Sequence, residues 1–326
     1  MKSKSLLFAS VIGLCLTSCA TGVKHDISEY FLHTDYKVGG YRILQLTDIH
    51  LGDKDYQDLH FKFMDLTIKD ANPDMIVVTG DLFTFASKST AKRLFNFLDS
   101  YGVPWTITFG NHDEQCYFSV DWMTGYLNTY GKNCLFKDIQ DDDIHGNCNF
   151  TINLMNGSEV FEQVVIIDSN RYSYGISSGY DYFKKDQINW YSEMVDYSTS
   201  TWGVGGQPVH SVMFYHIPLP EINDAWEKGT KLYDEGEKRE KSCPPDVNSG
   251  FFKVIKEKGS TDGMYFGHDH VNNFIVEYEG IDFGYGIHST NRIYYDEDMI
   301  GGRVVVINDD HSLSYEHIYH TYEEVK

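Results

Sequence analysis

The sequence predicts an α/β protein built from two stacked β-sheets with helices outside them. Three observations carry this. Residues 41–109 alternate β-branched apolar runs with amphipathic stretches in the order β-α-β-α-β, which calls for a parallel sheet with right-handed crossovers. Residues 150–317 continue with many strand-like runs and fewer helical ones, which points to a second sheet. The 326-residue length and 41% hydrophobic content suit one large domain with a packed core.

Element by element, residues 41–47 read as a strand. Residues 56–71 form an amphipathic helix carrying Phe61, Met64, Leu66 and Ile68, stopped at Asn72-Pro73. Residues 74–79 (DMIVVT) are a continuous apolar run typical of a buried strand. A second helix spans 89–101, closed by Gly102, and a third strand spans 104–109. Later strands are expected at 150–154, 164–168, 209–215, 262–266, 274–278, 281–285, 303–307 and 313–317, with a helix at 186–197. Residues 228–246 read as a charged surface excursion. The expected division is a domain over 40–320 with a short tail over 321–326 and no internal repeat.

The first residues look like a targeting segment. Lys2 and Lys4 precede an apolar run over 6–16, shorter than the ~20 residues a membrane span needs. Leu16-Thr17-Ser18-Cys19 resembles a bacterial lipoprotein box. The expectation is a signal peptide over 1–18, lipidation of Cys19, a tether over 19–39, and an exported lipoprotein on the outer face of a bacterial membrane. Cleavage would remove Lys2 and Lys4 and move the formal charge from −21 to −23. That balance argues against nucleic acid as a partner, since such binding relies on basic surface, but not against a small phosphorylated substrate. Cys116, Cys134, Cys148 and Cys243 can be disulfides, with Cys134 and Cys148 the most local pair, or free buried thiols.

The polar motifs fall directly after strands. Asp48 and His50 follow the first, Asp81 the second, and Asn111, His112 and Asp113 the third. His216 follows the strand over 209–215, and His268 and His270 follow that over 262–266. Ligands of open α/β sheets bind beyond the carboxyl ends of strands, so these loops should meet at one rim. Imidazoles and carboxylates without thiolate suit Mn, Fe or Zn, and Asp81 can bridge two ions with its two oxygens.

The ordered series DxH, GD, GNHD, H and GHxH is similar to that of the calcineurin-like metallophosphoesterase superfamily. Tyr215–Glu221 (YHIPLPE) and Gly267–Asn272 (GHDHVN) narrow the resemblance to a purple-acid-phosphatase-related subgroup. It implies a four-layer αββα sandwich with two mixed sheets, and a centre of two divalent or trivalent metal ions. By position, Asp48, His50, Asp81 and His270 resemble the ligands of one metal, and Asp81, Asn111, His216 and His268 those of the other. It implies hydrolysis of phosphate mono- or diesters by a metal-bridging hydroxide, with His112 as general acid and Asp113 orienting its imidazole. One departure stands out. Purple acid phosphatases carry a Tyr ligand where this chain has Thr84, and Gly where it has His50, so His50 is expected to replace the tyrosinate.

Four further residues are candidates for substrate contact. His288 and Arg292 lie in a Gly/Tyr-rich stretch, and Asn170 and Arg171 follow the strand over 164–168. The tyrosines over 172–182 can stack on a sugar or base, or form a packed loop. His25, His33, His60, His145, His210, His311, His317 and His320 lie outside the motifs and read as ordinary surface or core residues.

Overall fold

The apolar runs close into two sheets. The computed structural model describes residues 26–53, 57–131, 133–139, 141, 143–173, 179–232 and 236–325, so Cys19 and the expected signal peptide over 1–18 lie outside the described residues. Its strands are β1 Phe31–Asp35, β2 Tyr41–Leu46, β3 Met75–Thr79, β4 Trp105–Thr108, β5 Asn149–Asn156, β6 Glu159–Ile167, β7 Tyr172–Ser173, β8 Gly179–Tyr180, β9 Ser211–Phe214, β10 Thr230–Lys231, β11 Thr261–Phe266, β12 Ile275–Tyr278, β13 Ile281–Tyr285, β14 Gly301–Ile307 and β15 Leu313–Tyr319. Its helices are α1 Gln57–Ala71, α2 Lys88–Asp99, α3 Val120–Leu127, α4 Lys185–Trp202, α5 Ile222–Lys228, α6 Phe251–Lys258 and α7 Tyr322–Val325.

Strands β15-β14-β2-β3-β4 form one sheet and β1-β5-β6-β9-β11-β13-β12-β10 the other. Both are mixed: β2, β3 and β4 run parallel with β14 antiparallel, and β6, β9, β11 and β13 run parallel between antiparallel β5 and β12. Strand side chains alternate between faces, and here the alternation sorts two cores. On β6, Val164 and Ile166 join the core shared with the five-stranded sheet, whereas Val165 and Ile167 pack under α4 and α6 with Tyr191, Met194 and Phe251. Val212 and Phe214 against Met213 and Tyr215 repeat the division on β9. Phe61, Met64, Leu94 and Phe95 of α1 and α2 complete the first core. The layers are those of the expected αββα sandwich.

Several expectations need correction. Residues 26–35, expected within the tether, pack into the domain. Asp26 caps a 3-10 turn over Ile27–Tyr30 through a capping box, and β1 then pairs in parallel with β5. An edge strand buries one side only, so His33, Thr34 and Asp35 hid it. The tail also folds: Val325 of α7 is buried against Phe63 and Ile300. Helices α3, α5 and α6 were not anticipated; α6 runs between two left-handed glycines, Gly250 and Gly259. Within the expected excursion over 228–246, residues 240–243 pack back on the domain. Glu240 accepts from Val271 N, and Asp269 accepts from Cys243 N, which docks them on the GHDH loop. Cys116, Cys134, Cys148 and Cys243 are all free thiols.

Candidate metal centre

The carboxyl ends of β2, β3, β4, β9 and β11 converge. Beyond β2 and β3 the parallel pairing continues into the loops, with Asp48 N on Gly80 O (3.2 Å), His50 N on Asp81 O (2.9 Å) and Leu51 N on Leu82 O (2.9 Å). The backbone reaches this register only by left-handed turns at Asp48, His50 and Asp81 (φ 52°, 49° and 48°), with His268 at 80°. Such φ values are uncommon outside glycine, and they concentrate where the surroundings over-determine a functional geometry. Close approach sets the glycines. A Cβ on Gly267 would lie 1.9 Å from Thr47 Oγ1, and one on Gly110 would lie 2.3 Å from Asp81 Oδ1.

Asp48, His50, Asp81 and His270 are buried and offer ligand atoms all within 4.8 Å of one another. His270 Nε2 is 3.4 Å from Asp48 Oδ1, and His50 Nε2 is 3.7 Å from Asp81 Oδ2 and 3.3 Å from His270 Nε2. The outer nitrogens are pinned. His50 Nδ1 meets Thr84 Oγ1 at 2.8 Å, and His270 Nδ1 donates to Tyr294 O at 2.8 Å. Fixing Nδ1 this way aims Nε2 inward, the arrangement that orients histidine ligands of metals. Thr84, at the position of the absent tyrosine, therefore holds the histidine that was expected to replace it.

The electrostatics match. Burial opposes ionisation of Asp48, yet His270, His216 and His50 outweigh it and hold the carboxyl well below its ordinary range. Asp81 is lowered in the same way, chiefly by His216 against the cost of burial. Burial depresses His50 and His268 to about 3. Facing nitrogens and carboxylates in a dry pocket require positive charge between them, from a proton or a metal cation.

A second set of atoms also reaches Asp81, at the same oxygen, Oδ2, that His50 faces. His216 Nδ1 donates to Thr79 O at 2.7 Å, which turns Nε2 to within 3.2 Å of Asp81 Oδ2 but out of hydrogen-bonding alignment. His268 Nε2 and Asn111 Oδ1 are buried without a hydrogen-bond partner. Unsatisfied buried acceptors are costly and rare, and a second cation is what these three would satisfy. The donor set thus fits the metal chemistry read from the sequence.

The remaining predicted residues divide. His112 N donates to Asp81 Oδ1 (2.7 Å), and its imidazole Nδ1 meets Gln115 Oε1 at 2.9 Å. Asp113 does not orient that ring. Its carboxylate accepts from Gly110 N and Phe83 N at 2.8 and 3.1 Å, so it braces the loop. Burial first, then Asp81, pushes its pKa up to about 8. Asn170 Nδ2 is consumed by Tyr182 O and Gln187 Oε1. Arg171 is ion-paired with Glu114. His288 is buried with its ring 4.4 Å from that of His270, a neighbour of the donors and not a solvent-facing phosphate contact. Arg292 Nε donates to His50 O at 3.1 Å. Sequence reasoning missed Gln115 and Tyr294, which carry no motif. It left Tyr172 and Tyr180 open, and both meet the centre: Asn111 Nδ2 donates to Tyr172 Oη at 2.8 Å, and Tyr180 lies edge-on to His268 at 4.3 Å.

Comparison with known proteins agrees. The calcineurin-like phosphoesterase family model matches residues 41–272. The chain is 29% identical over 318 residues to probable inactive purple acid phosphatase 14 of Arabidopsis thaliana, covering 86% of this chain and 78% of that one. It is 26% identical to probable inactive purple acid phosphatase 29 of the same plant, covering 93% and 85%. Among solved structures, a dimetal phosphatase from Danio rerio superposes with a TM-score of 0.51 at 14% identity, covering 82% of this chain and 95% of that one, a likeness of fold. With the family model spanning the strands and loops that build the centre, the chain belongs to the calcineurin-like phosphoesterase family.

Proposed function

We propose that this protein hydrolyses phosphate mono- or diesters with two metal ions, drawn from Mn, Fe or Zn. The observation that carries the reading is that Asp81 is shared by two groups of donors. It belongs to the set with Asp48, His50 and His270, and its Oδ2 also lies 3.2 Å from His216 Nε2, an atom that like Asn111 Oδ1 and His268 Nε2 is buried without a hydrogen-bond partner. Two bound cations would supply a nucleophilic hydroxide at neutral pH and neutralise the phosphate. The protein's own residues do the rest. Asp81 and Asp48 stay ionised because the facing imidazoles outweigh their burial. Gln115 Oε1 accepts from His112 Nδ1, which leaves Nε2 as the atom that holds a proton for the departing oxygen. With Thr84 in place of a tyrosine, no tyrosinate-to-iron colour is expected.

Two of the relatives above are named inactive, and that word is theirs. A catalytically silent binding protein is the competing reading. Loading the protein with Mn, Fe or Zn and assaying a small monoester, a bis-ester and single-stranded DNA separates them. Metal-dependent turnover of a small ester, with DNA uncut, is expected. A fully loaded protein that turns over none of the three overturns the hydrolase reading, and preferential cutting of DNA replaces it with a nuclease. We infer further that export and lipidation at Cys19 tether the enzyme to a membrane. Labelled lipid should enter the parent and not Cys19→Ala; equal labelling rejects the anchor.

A further inference from the structure

We propose that the rim of this centre takes the apolar group of the ester, so that the substrates are phosphate esters of hydrophobic alcohols; this rests on the hydrolase reading above. Four large apolar side chains stand exposed on the loops that hold the donors: Phe85 at 59%, Tyr117 at 70%, Ile293 at 52% and Tyr294 at 45%. Their backbones are tied to the centre. Thr84 meets His50, Phe85 N donates to Gln115 O, and the Gln115 side chain holds His112. Tyr117 N donates to Ala86 O. Arg292 holds the His50 carbonyl, and Tyr294 both accepts from His270 Nδ1 and stacks on that ring at 4.1 Å and 9°.

Single exposed hydrophobics are ordinary, but these come as two local pairs on loops tied to the donors, and two are strained. Phe85 and Ile293 hold left-handed backbones, at φ 55° and 63°. A bulky or β-branched residue is a marked outlier there, and such conformations gather where ligands are clamped. Among the described residues, the arginines of the same loops are already engaged. Arg171 is ion-paired with Glu114, and Arg292 is turned onto a backbone carbonyl. What Phe85, Tyr117, Ile293 and Tyr294 add to these loops is exposed apolar area.

The test uses straight-chain alkyl phosphates from methyl to octyl, whose leaving alcohols differ little in acidity, and the matching non-hydrolysable alkylphosphonates. Measured on metal-loaded full-length protein, kcat/KM and phosphonate affinity should each rise about three- to fourfold per methylene until the rim is covered. The gain should flatten in Phe85→Asn and in Ile293→Asn. Asn tolerates the left-handed backbone, and an unchanged Tm would separate lost contact from lost fold. Turnover and binding that ignore chain length would overturn the apolar rim and leave the hydrolase reading intact. Binding that follows chain length without any turnover would support the rim and reject the hydrolase.

Discussion

Two clusters of histidines and carboxylates lie at opposite ends of β9 and β11, and the difference between them explains which one is a centre. At the far end His210 and His311 stack at 4.4 Å with ring planes 16° apart. Each sets Nδ1 against a carboxyl group, His210 against Asp262 at 2.7 Å and His311 against Glu162 at 2.9 Å. Lone pairs lie in the ring plane, so near-parallel stacked rings do not aim at a common point. At the near end the rings cross, His50 and His270 at 49° and His216 and His268 at 78°. There Nδ1 is spent on a hydroxyl or a carbonyl, and Nε2 faces the carboxylates. The residue types are the same; the direction of the inward nitrogen separates ligand from strut.

The largest test of that contrast is Asp81→Ala. It removes the one carboxylate common to both donor sets, so metal content should fall and turnover should drop about 10³-fold or more. Unchanged metal by elemental analysis would sink the shared-ligand assignment. Next is His112→Ala. Metal should stay, while kcat on alkyl esters falls about 10²- to 10⁴-fold and much less on nitrophenyl esters, whose leaving group needs no proton. Equal losses on both ester types would remove His112 as the acid. Gln115→Ala should cost about tenfold on alkyl esters, because it frees the ring without removing it. A full His112-sized loss would instead mean that Gln115 itself acts on the substrate.

Much of the near cluster was legible because its logic is local. A strand ends, and a short polar motif follows at its carboxyl end; Asp48, Asp81, Asn111, His216 and His268 all obey this. What was hidden depends on partners distant in sequence. Nothing about Tyr294 reveals that its carbonyl holds His270, 24 residues away. The error over Asp113 has the same origin. Adjacency to His112 implied contact, but the 3-10 turn starting at Asp113 sends its carboxylate back to the amides of Gly110 and Phe83 and leaves Gln115, three residues on from His112, to reach the imidazole. β1 was missed because half its surface is polar and its pairing partner β5 lies more than a hundred residues away.

The smallest predicted effect belongs to the far cluster and concerns stability alone. Glu162 is buried, one of its oxygens has no hydrogen-bond partner, and burial lifts its carboxyl from 4.5 to about 9, with Asp262 adding to the shift. A folded pKa above the unfolded one gives stability that is intact below 4.5 and lost as pH rises towards 9. His210, raised by its bond to Asp262, loses stability in the same direction above its ordinary value, whereas His311, depressed by burial and by His210, loses it as pH falls below 6.5. Glu162→Gln keeps a donor for His311 Nδ1 and has no proton to lose. The parent should therefore shed ~1–3 kcal/mol more than the variant between pH 5 and pH 9. Their Tm values should agree at pH 5 and part at pH 9, with metal content equal throughout. Parallel Tm curves would show that Glu162 is ionised at neutral pH, and the far cluster would then hold a buried carboxylate much as the near one does.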